Sequence, residues 1–104
     1  MNLRISTDRA DGAARLRPVG DVDLSSADVL QDAIDSAFDG DPDTVLVDLE
    51  AVGFLDSSGI TVLVAGRQMA EERGVRYRVI GATGTVARVL ELAGVAAYLA
   101  GRPS

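Results

Sequence analysis

The stretch from Val45 to Arg73 constrains the fold more than any other part of this sequence. The run Val45–Leu49 is apolar and rich in β-branched residues, which is typical of a buried strand. Residues 60–73 begin apolar and become polar, and Gly74 follows them, as expected for a helix that ends at a glycine cap. A strand followed closely by a helix predicts a β-α unit, and the sequence Asp-Ser-Ser-Gly at 56–59 lies at its junction.

The segment Asp56–Gly59 brings a carboxylate and two hydroxyls to the predicted first turn of that helix. Asp and Ser are favoured at helix N-termini because their side-chain oxygens accept hydrogen bonds from the unpaired N–H groups of the first turn. Local chemistry alone therefore favours a simple helix cap over a functional site.

Strand and helix patterns alternate through the rest of the chain. The other elements are predicted in this order: a strand over residues 2–7, a strand over residues 13–19, a helix from Ser25 or Ser26 to Gly40, a strand over residues 75–79, a helix from Val86 to Gly94, and a short edge strand over Val95–Leu99. The resulting order, β-β-α-β-α-β-α-β, predicts one α/β domain over residues 1–104, with a small mixed, mostly parallel sheet and right-handed β-α crossovers.

Charged side chains recur along one side of three predicted strands, at Arg15, Arg17, Asp48, Arg76 and Arg78. A sheet covered on both faces would be apolar on both, so helices are expected to cover chiefly one face. Val45, Val47 and Leu49 should then pack beneath the helices, while Asp48 lies on the wetter face. Proline cannot donate to a sheet ladder, so Pro18 is expected near the end of the second strand.

Composition excludes several classes of function. The net charge of −6 over 104 residues argues against binding to nucleic acid. No apolar run is long enough to span a membrane, the N-terminus does not resemble a signal segment, and a cytoplasmic location is expected. Because the sequence has no His, Cys or Lys, it offers no Ser–His–Asp or Cys–His nucleophile, no Schiff-base lysine and no imidazole or thiolate metal site. We therefore expect neither an enzyme nor a bound cofactor.

Two local motifs resemble sites of other classes. Val79–Gly84 is similar to the glycine turn of a dinucleotide-binding unit, but that unit needs an acidic residue about 20 positions further on, and none follows Glu91. The glycines are more simply explained by a tight turn between a strand and a helix. The segment Asp56–Gly59 lacks the flanking glycines of a serine-hydrolase elbow, and the chain has no histidine to act as its base.

Four segments together resemble a STAS domain, and in particular the stand-alone anti-sigma factor antagonists of bacteria: Gly20–Asp23, Val45–Leu49, Phe54–Ile60 and Leu92–Val95. The resemblance extends over nearly the whole chain, and its most specific part is Asp-Ser-Ser-Gly-Ile at 56–60. In that family the serine directly after the aspartate is the phosphoacceptor, which corresponds to Ser57. The resemblance also implies a small sheet with right-handed β-α winding.

The implied function is a partner switch. Unphosphorylated, such a protein binds an anti-sigma factor that is also an ATP-dependent serine kinase, and so frees a sigma factor. Phosphorylation of Ser57 ends the complex, and a metal-dependent serine phosphatase restores it; ATP and metal belong to these partners. The alternative within the same family is an interaction module that regulates a transporter or scaffolds a sensory complex without phosphorylation.

The loops that leave the carboxyl ends of parallel strands share one pole of a sheet, where ligands usually bind. In this chain the predicted pole gathers the loop after residue 20, the segment Asp56–Gly59 and the turn Gly81–Gly84. It is acidic, which suits docking to another protein better than catalysis. The candidate partner-binding residues are Asp21, Asp23, Asp56, Ser58, Gly59 and Ile60.

Overall fold

The computed structural model describes residues 3–101. In chain order its elements are β1 (Leu3–Ala10), β2 (Ala13–Val22), α1 (Ala27–Ala37), β3 (Thr44–Asp48), β4 (Val52–Leu55), α2 (Ser57–Arg73), β5 (Arg76–Ile80), α3 (Gly84–Leu92) and α4 (Ala96–Leu99). The predicted α/β class is confirmed. The first strand was predicted from residue 2, which lies outside the described residues.

The strands form one mixed, mostly parallel sheet, as predicted. Its order is β1-β2-β3-β5, and β4 also pairs with β2. Only β1 and β2 pair antiparallel among the pairings of the described residues. The long strand β2 pairs with β3 along Ala13–Leu16 and then with β4 at its carboxyl end, where Val22 lies opposite Leu55. The loops that follow β2 and β4 therefore begin side by side.

The predicted final edge strand is wrong, because Ala96–Leu99 forms the short helix α4 and Leu99 is buried in the core. Ala, Tyr and Leu are compatible with a helix, and a segment of this length has no periodicity that separates helix from strand. Strand β4 was absent from the predicted order. It has only four residues, one of them Gly53, so its pattern was too short to be distinguished from a loop.

Pro18 lies in the middle of β2, not near its end as predicted. The strand continues to Val22, and Pro18 is buried opposite Ile5 of β1. The Gly20 N–H donates to Ala51 O at 3.1 Å, on the side of β2 that faces β3 and β4. Alternation points the nitrogen of Pro18 to the same side, in the gap between the segments that pair with β3 and with β4. The sheet therefore loses no ladder hydrogen bond through the missing N–H of Pro18.

Strand β3 has the predicted faces. Val45 and Val47 are fully buried in the core that includes side chains of α1 and α2. Asp48 lies on the opposite face, where Arg15 Nη2 is 2.8 Å from Asp48 Oδ2. This face carries the half-exposed Arg15 side chain, as predicted for the wetter face, but Asp48 itself is only 4% exposed. The hydrogen bond from Arg15 is the main reason that the pKa of Asp48 is lowered.

Gly81 explains how the Asp48 carboxylate fits at the end of the sheet. A Cβ added to Gly81 would overlap Asp48 Oδ1 and lie 3.1 Å from the Glu50 nitrogen, and its φ of 76° disfavours other residues. The glycine-rich turn after β5 therefore serves close packing, as the tight-turn interpretation predicted.

Candidate functional site

The candidate site lies where β2 and β4 end. The Asp56 N–H donates to Val22 O at 3.2 Å, which joins the start of α2 to the carboxyl end of β2. The β2–α1 loop, residues 23–26, and the first turn of α2 are therefore neighbours. We call this end of the sheet, with those two segments, the Ser57 pole.

Asp56 is the N-cap of α2, and the predicted cap is confirmed. Its backbone is extended, with φ −110° and ψ −171°, and its Oδ1 accepts hydrogen bonds from Ser58 N at 2.9 Å and Gly59 N at 3.4 Å. The helix then continues with the Ile60 N–H donating to Asp56 O at 3.1 Å. The carboxylate therefore satisfies two of the unpaired N–H groups of the first turn.

Ser57 is the first residue of α2 and is exposed, whereas Ser58 is half-buried. Within residues 3–101 neither hydroxyl forms a hydrogen bond. The backbone of Ser57 is held, because its carbonyl accepts a bond from Thr61 Oγ1 at 2.9 Å. The Ser57 backbone is thus held in place, while its hydroxyl is open to solvent and makes no hydrogen bond within the described residues.

Gly59 is buried and has a packing role. A Cβ at this position would overlap Leu55 Cδ1 and lie 2.8 Å from Val22 Cγ1. The absence of a side chain lets the first turn of α2 rest directly on β2 and β4. Ile60 is half-buried against the same core. The predicted contact of both residues with a partner stays a prediction.

The start of α1 is built differently. Ser26 is its N-cap, as predicted, but its side chain makes no capping bond. Instead Ser26 Oγ accepts from Asp23 N at 3.0 Å and donates to Asp21 O at 2.9 Å. Asp23 Oδ1 accepts from the Ser25 nitrogen at 2.9 Å and from Ser25 Oγ at 2.6 Å. The side chains of Ser25 and Ser26 therefore stabilise the loop before α1 and not the first turn of the helix.

These bonds hold the Asp23 carboxylate within the β2–α1 loop. The hydrogen bond from the Ser25 hydroxyl is the main reason that the pKa of Asp23 is lowered. Asp21 lies opposite Phe54 in the β2–β4 pairing, and it is half-buried. The structure thus brings Asp21 and Asp23 to the same pole as Asp56 and Ser57.

The Ser57 pole lies within a long segment whose charged side chains are all acidic. Residues 18–66 contain eleven acidic residues and no basic residue. This segment includes the end of β2, the whole of α1, β3 and β4, and the first turns of α2. A protein that docks at the Ser57 pole is therefore best matched by a basic surface.

Two apolar side chains at this pole were not among the predicted site residues. Leu24 is 82% exposed in the β2–α1 loop, and Phe54 is 46% exposed on β4. Phe54 was noted only as part of a family motif, and the sequence gives no periodic signal that would distinguish an exposed loop leucine from a buried one.

The described part of the chain lacks two further classes of feature. Residues 3–101 contain no group of three or more metal-ligating side chains arranged to hold an ion. None of the helices in this range is both long and apolar enough to cross a membrane.

The fold and the pole define a small α/β binding module that presents one serine hydroxyl among carboxylates. The model of the STAS domain family matches residues 4–104, and the chain belongs to this family.

Among curated relatives, the chain is 31% identical over 85 residues to the anti-sigma-F factor antagonist RsfB of Mycobacterium tuberculosis, which covers 82% of this chain and 69% of RsfB. Among solved structures, an anti-sigma factor antagonist from Mycobacterium paratuberculosis superimposes with a TM-score of 0.86 at 23% identity, over 99% of this chain and 87% of that one.

A third relative, SpoIIAA, has the same fold in two states. Its unphosphorylated form gives a TM-score of 0.77 at 21% identity over 89% of this chain and 83% of that one. The phosphorylated form of SpoIIAA, a Bacillus cell fate determinant, gives a TM-score of 0.72 at 18% identity, over 97% of this chain and 92% of that one. The fold assigned from the sequence resemblance is thereby confirmed.

Proposed function

We propose that this protein is an anti-sigma factor antagonist that is switched off by phosphorylation of Ser57. Unphosphorylated, it binds an anti-sigma factor with serine kinase activity at the Ser57 pole, and the sigma factor is released. The kinase then phosphorylates Ser57 and the complex dissociates. A metal-dependent serine phosphatase restores the hydroxyl. The protein acts by binding and not as an enzyme, and ATP and metal belong to its partners.

The observation that carries the proposal is the state of Ser57. Its hydroxyl is exposed at the start of a helix, while the neighbouring Asp56 carboxylate is used as the cap. A kinase needs such an accessible hydroxyl as its acceptor. The name of RsfB as an anti-sigma-F factor antagonist supports the role, and the two states of SpoIIAA support a phosphorylation switch on this fold.

The chemistry of the switch follows from charge. The Ser57 oxygen attacks the γ-phosphorus of ATP bound to the kinase, the bond to the ADP oxygen breaks, and the hydroxyl proton leaves. The product carries about −1.5 to −2 charge at pH 7. The N-terminus of α2 tolerates this charge within the protein. In the complex, however, the new phosphate faces the phosphates of ADP, and the carboxylates of the pole already match the partner's cations.

The first experiment is a pull-down from the native cell, with and without ATP, read by phosphopeptide mass spectrometry. We expect an ATP-binding kinase to be recovered without ATP and to be lost when ATP allows phosphorylation. A membrane permease recovered in its place, with no phosphopeptide under either condition, would favour the transporter-regulating alternative.

Titration calorimetry with the purified kinase then tests the switch. Ser57→Asp should weaken binding by about 30-fold or more, because an unpaired charge desolvated in an interface costs roughly 2–5 kcal/mol. Ser57→Ala should bind as wild type does and stay bound in ATP. Circular dichroism is the folding control, and we expect Ser57→Asp to fold because a carboxylate is favourable at a helix N-terminus. Folded Ser57→Asp that binds as tightly as wild type would contradict the proposal.

A further inference from the structure

The Ser57 pole exposes two large apolar side chains. Leu24 is 82% exposed and Phe54 is 46% exposed. Isolated exposed apolar residues are common, but two of them beside a candidate docking site are informative. The structure also offers a matched reference elsewhere, because Leu92 at the end of α3 is 76% exposed.

Both side chains are attached to the segments that border Ser57. Phe54 precedes Leu55, which pairs with Val22, and Leu24 follows Val22 by two residues. The Asp56 N–H bond to Val22 O connects the same two segments to the start of α2. Leu24 and Phe54 are therefore presented from the two strands whose ends flank the acceptor serine.

The loop that carries Leu24 is held in place. Ser26, two residues after Leu24, bonds through its Oγ to Asp23 N at 3.0 Å and to Asp21 O at 2.9 Å, and both of these groups precede Leu24 in the chain. A side chain on a fixed loop loses little conformational entropy when it binds, so its burial contributes more fully to affinity. The hydrogen bonds of Ser26 thus preorganise an exposed leucine.

We propose that Leu24 and Phe54 are the apolar anchors of the surface that binds the anti-sigma factor kinase, and that they determine affinity whatever the state of Ser57. The inference rests on the proposed function, which names the occupant. The partner surface it requires is an apolar pocket bordered by basic side chains. Apolar anchors within a polar rim are the usual source of binding energy at protein interfaces.

Charge argues against a second copy of this chain as the occupant. A two-fold contact through the pole places the same surface on both sides of the interface. Asp21, Asp23 and Asp56 would then face their own counterparts, and residues 18–66 supply no basic side chain to pair with them. A basic kinase surface meets no such repulsion.

The test compares Leu24→Ala and Phe54→Ala with the matched control Leu92→Ala. Leu92 is the last residue of α3 and belongs to neither of the segments that border Ser57. The kinase recovered with the wild-type protein is the probe, and affinity is measured by calorimetry in ADP. We expect Leu24→Ala and Phe54→Ala each to weaken binding by about 10-fold or more, and Leu92→Ala to change it by less than about 2-fold.

The same losses should appear when each substitution is combined with Ser57→Ala, because the anchors act independently of the switch. Leu24→Ala removes an almost fully exposed side chain, so it keeps the test decisive if Phe54→Ala does not fold.

Wild-type protein that binds no kinase would overturn both the proposed function and this inference. Wild-type binding with Leu24→Ala unchanged would overturn the anchors alone. Sedimentation that shows a wild-type dimer abolished by Leu24→Ala would assign the surface to a second copy instead.

Discussion

The two helix starts at the Ser57 pole use similar residues for opposite purposes. Before α1 an aspartate is followed within three residues by two serines, and before α2 an aspartate is followed directly by two serines. At α1 both serine hydroxyls are engaged: Ser25 Oγ donates to Asp23, and Ser26 Oγ bonds to the backbone of Asp21 and Asp23. At α2 the aspartate alone caps the helix, and the Ser57 hydroxyl is left open.

The difference shows how a serine hydroxyl at a helix start can be kept free of hydrogen bonds. The start of α1 is held by side-chain hydrogen bonds, so its serines are structural. The start of α2 is held by a capping carboxylate and by the close packing of Gly59 on Leu55 and Val22, which need nothing from Ser57. A serine whose backbone is fixed by its neighbours can gain or lose a phosphate without loss of the fold.

Gly59→Val should give the largest effect. The added Cβ would overlap Leu55 and lie 2.8 Å from Val22 Cγ1, so α2 must shift or the core must expand. Overpacking of this kind destabilises by up to about 3 kcal/mol. Urea unfolding measures the loss. Gly53→Val is the control, since its Cβ would lie 3.4 Å from Asp21 Oδ1 at an exposed strand position, and it should change stability by less than about 0.5 kcal/mol.

The next largest effect on stability should distinguish the serines at the start of α1 from those at the start of α2. Ser26→Ala removes the partner of the Asp23 N–H at a residue that is only 3% exposed, and should destabilise by about 1–3 kcal/mol. Ser57→Ala removes an exposed hydroxyl and should change stability by less than about 0.5 kcal/mol. Equal losses in chemical denaturation would show that the two helix starts are not built differently.

Asp56 should contribute to stability through its side-chain oxygen as a hydrogen-bond acceptor, and not through its charge. Asp56→Ala leaves the Ser58 and Gly59 N–H groups without their acceptor and should destabilise by about 1 kcal/mol. Asp56→Asn keeps an oxygen in that place and should stay within a few tenths of a kcal/mol of wild type. Thermal unfolding followed by circular dichroism distinguishes the two variants; an asparagine as damaging as alanine would contradict a capping role.

The smallest expected effect concerns the pKa of the Asp23 carboxyl. The pKa of Asp23 lies below the usual value of 3.8, chiefly because of the Ser25 hydroxyl. A carboxylate with a lowered folded pKa contributes stability above its unfolded pKa and loses it as the pH falls through the folded pKa, so the contribution is complete at neutral pH and fades below about pH 4.

Carbon-13 NMR of the Asp23 carboxyl measures this directly. Ser25→Ala should move the midpoint upward, towards the usual value, while Ser57→Ala should leave it unchanged. If Ser25→Ala leaves the midpoint unchanged, the hydrogen bond from Ser25 is not the cause of the lowered pKa of Asp23.

Much of this organisation could be predicted from the sequence because it depends on local patterns. The alternation of Val45 and Val47 fixed the face of β3, and Asp56 and Gly74 marked the ends of α2. The failures concern information that is not local. Pro18 is tolerated in mid-strand only because β3 and β4 leave a gap beside it. The four-residue elements β4 and α4 are too short for periodicity to decide.

The candidate site was predictable in position but not in its internal bonding. The resemblance selected Ser57, and the pole gathered Asp21, Asp23 and Asp56 as expected. Which hydroxyls are engaged is a property of the folded loops, and a sequence with Asp and Ser at both helix starts does not reveal it. The contact of Gly59 with a partner stays a prediction, and its close packing on Leu55 and Val22 is a second role that the sequence did not reveal.

The central claim is that Ser57, whose hydroxyl is both exposed and without a hydrogen bond in the described residues, is the one serine of the four at this pole that accepts a phosphate. The direct measurement is the reaction of the unmodified protein with its kinase and ATP, followed by intact-mass analysis and fragmentation of the phosphopeptides. The account predicts one phosphate per chain, on Ser57, with none on Ser25, Ser26 or Ser58, and no labelling of Ser57→Ala. A phosphate on Ser58, on either serine of the β2–α1 loop, or on Ser57→Ala would contradict it.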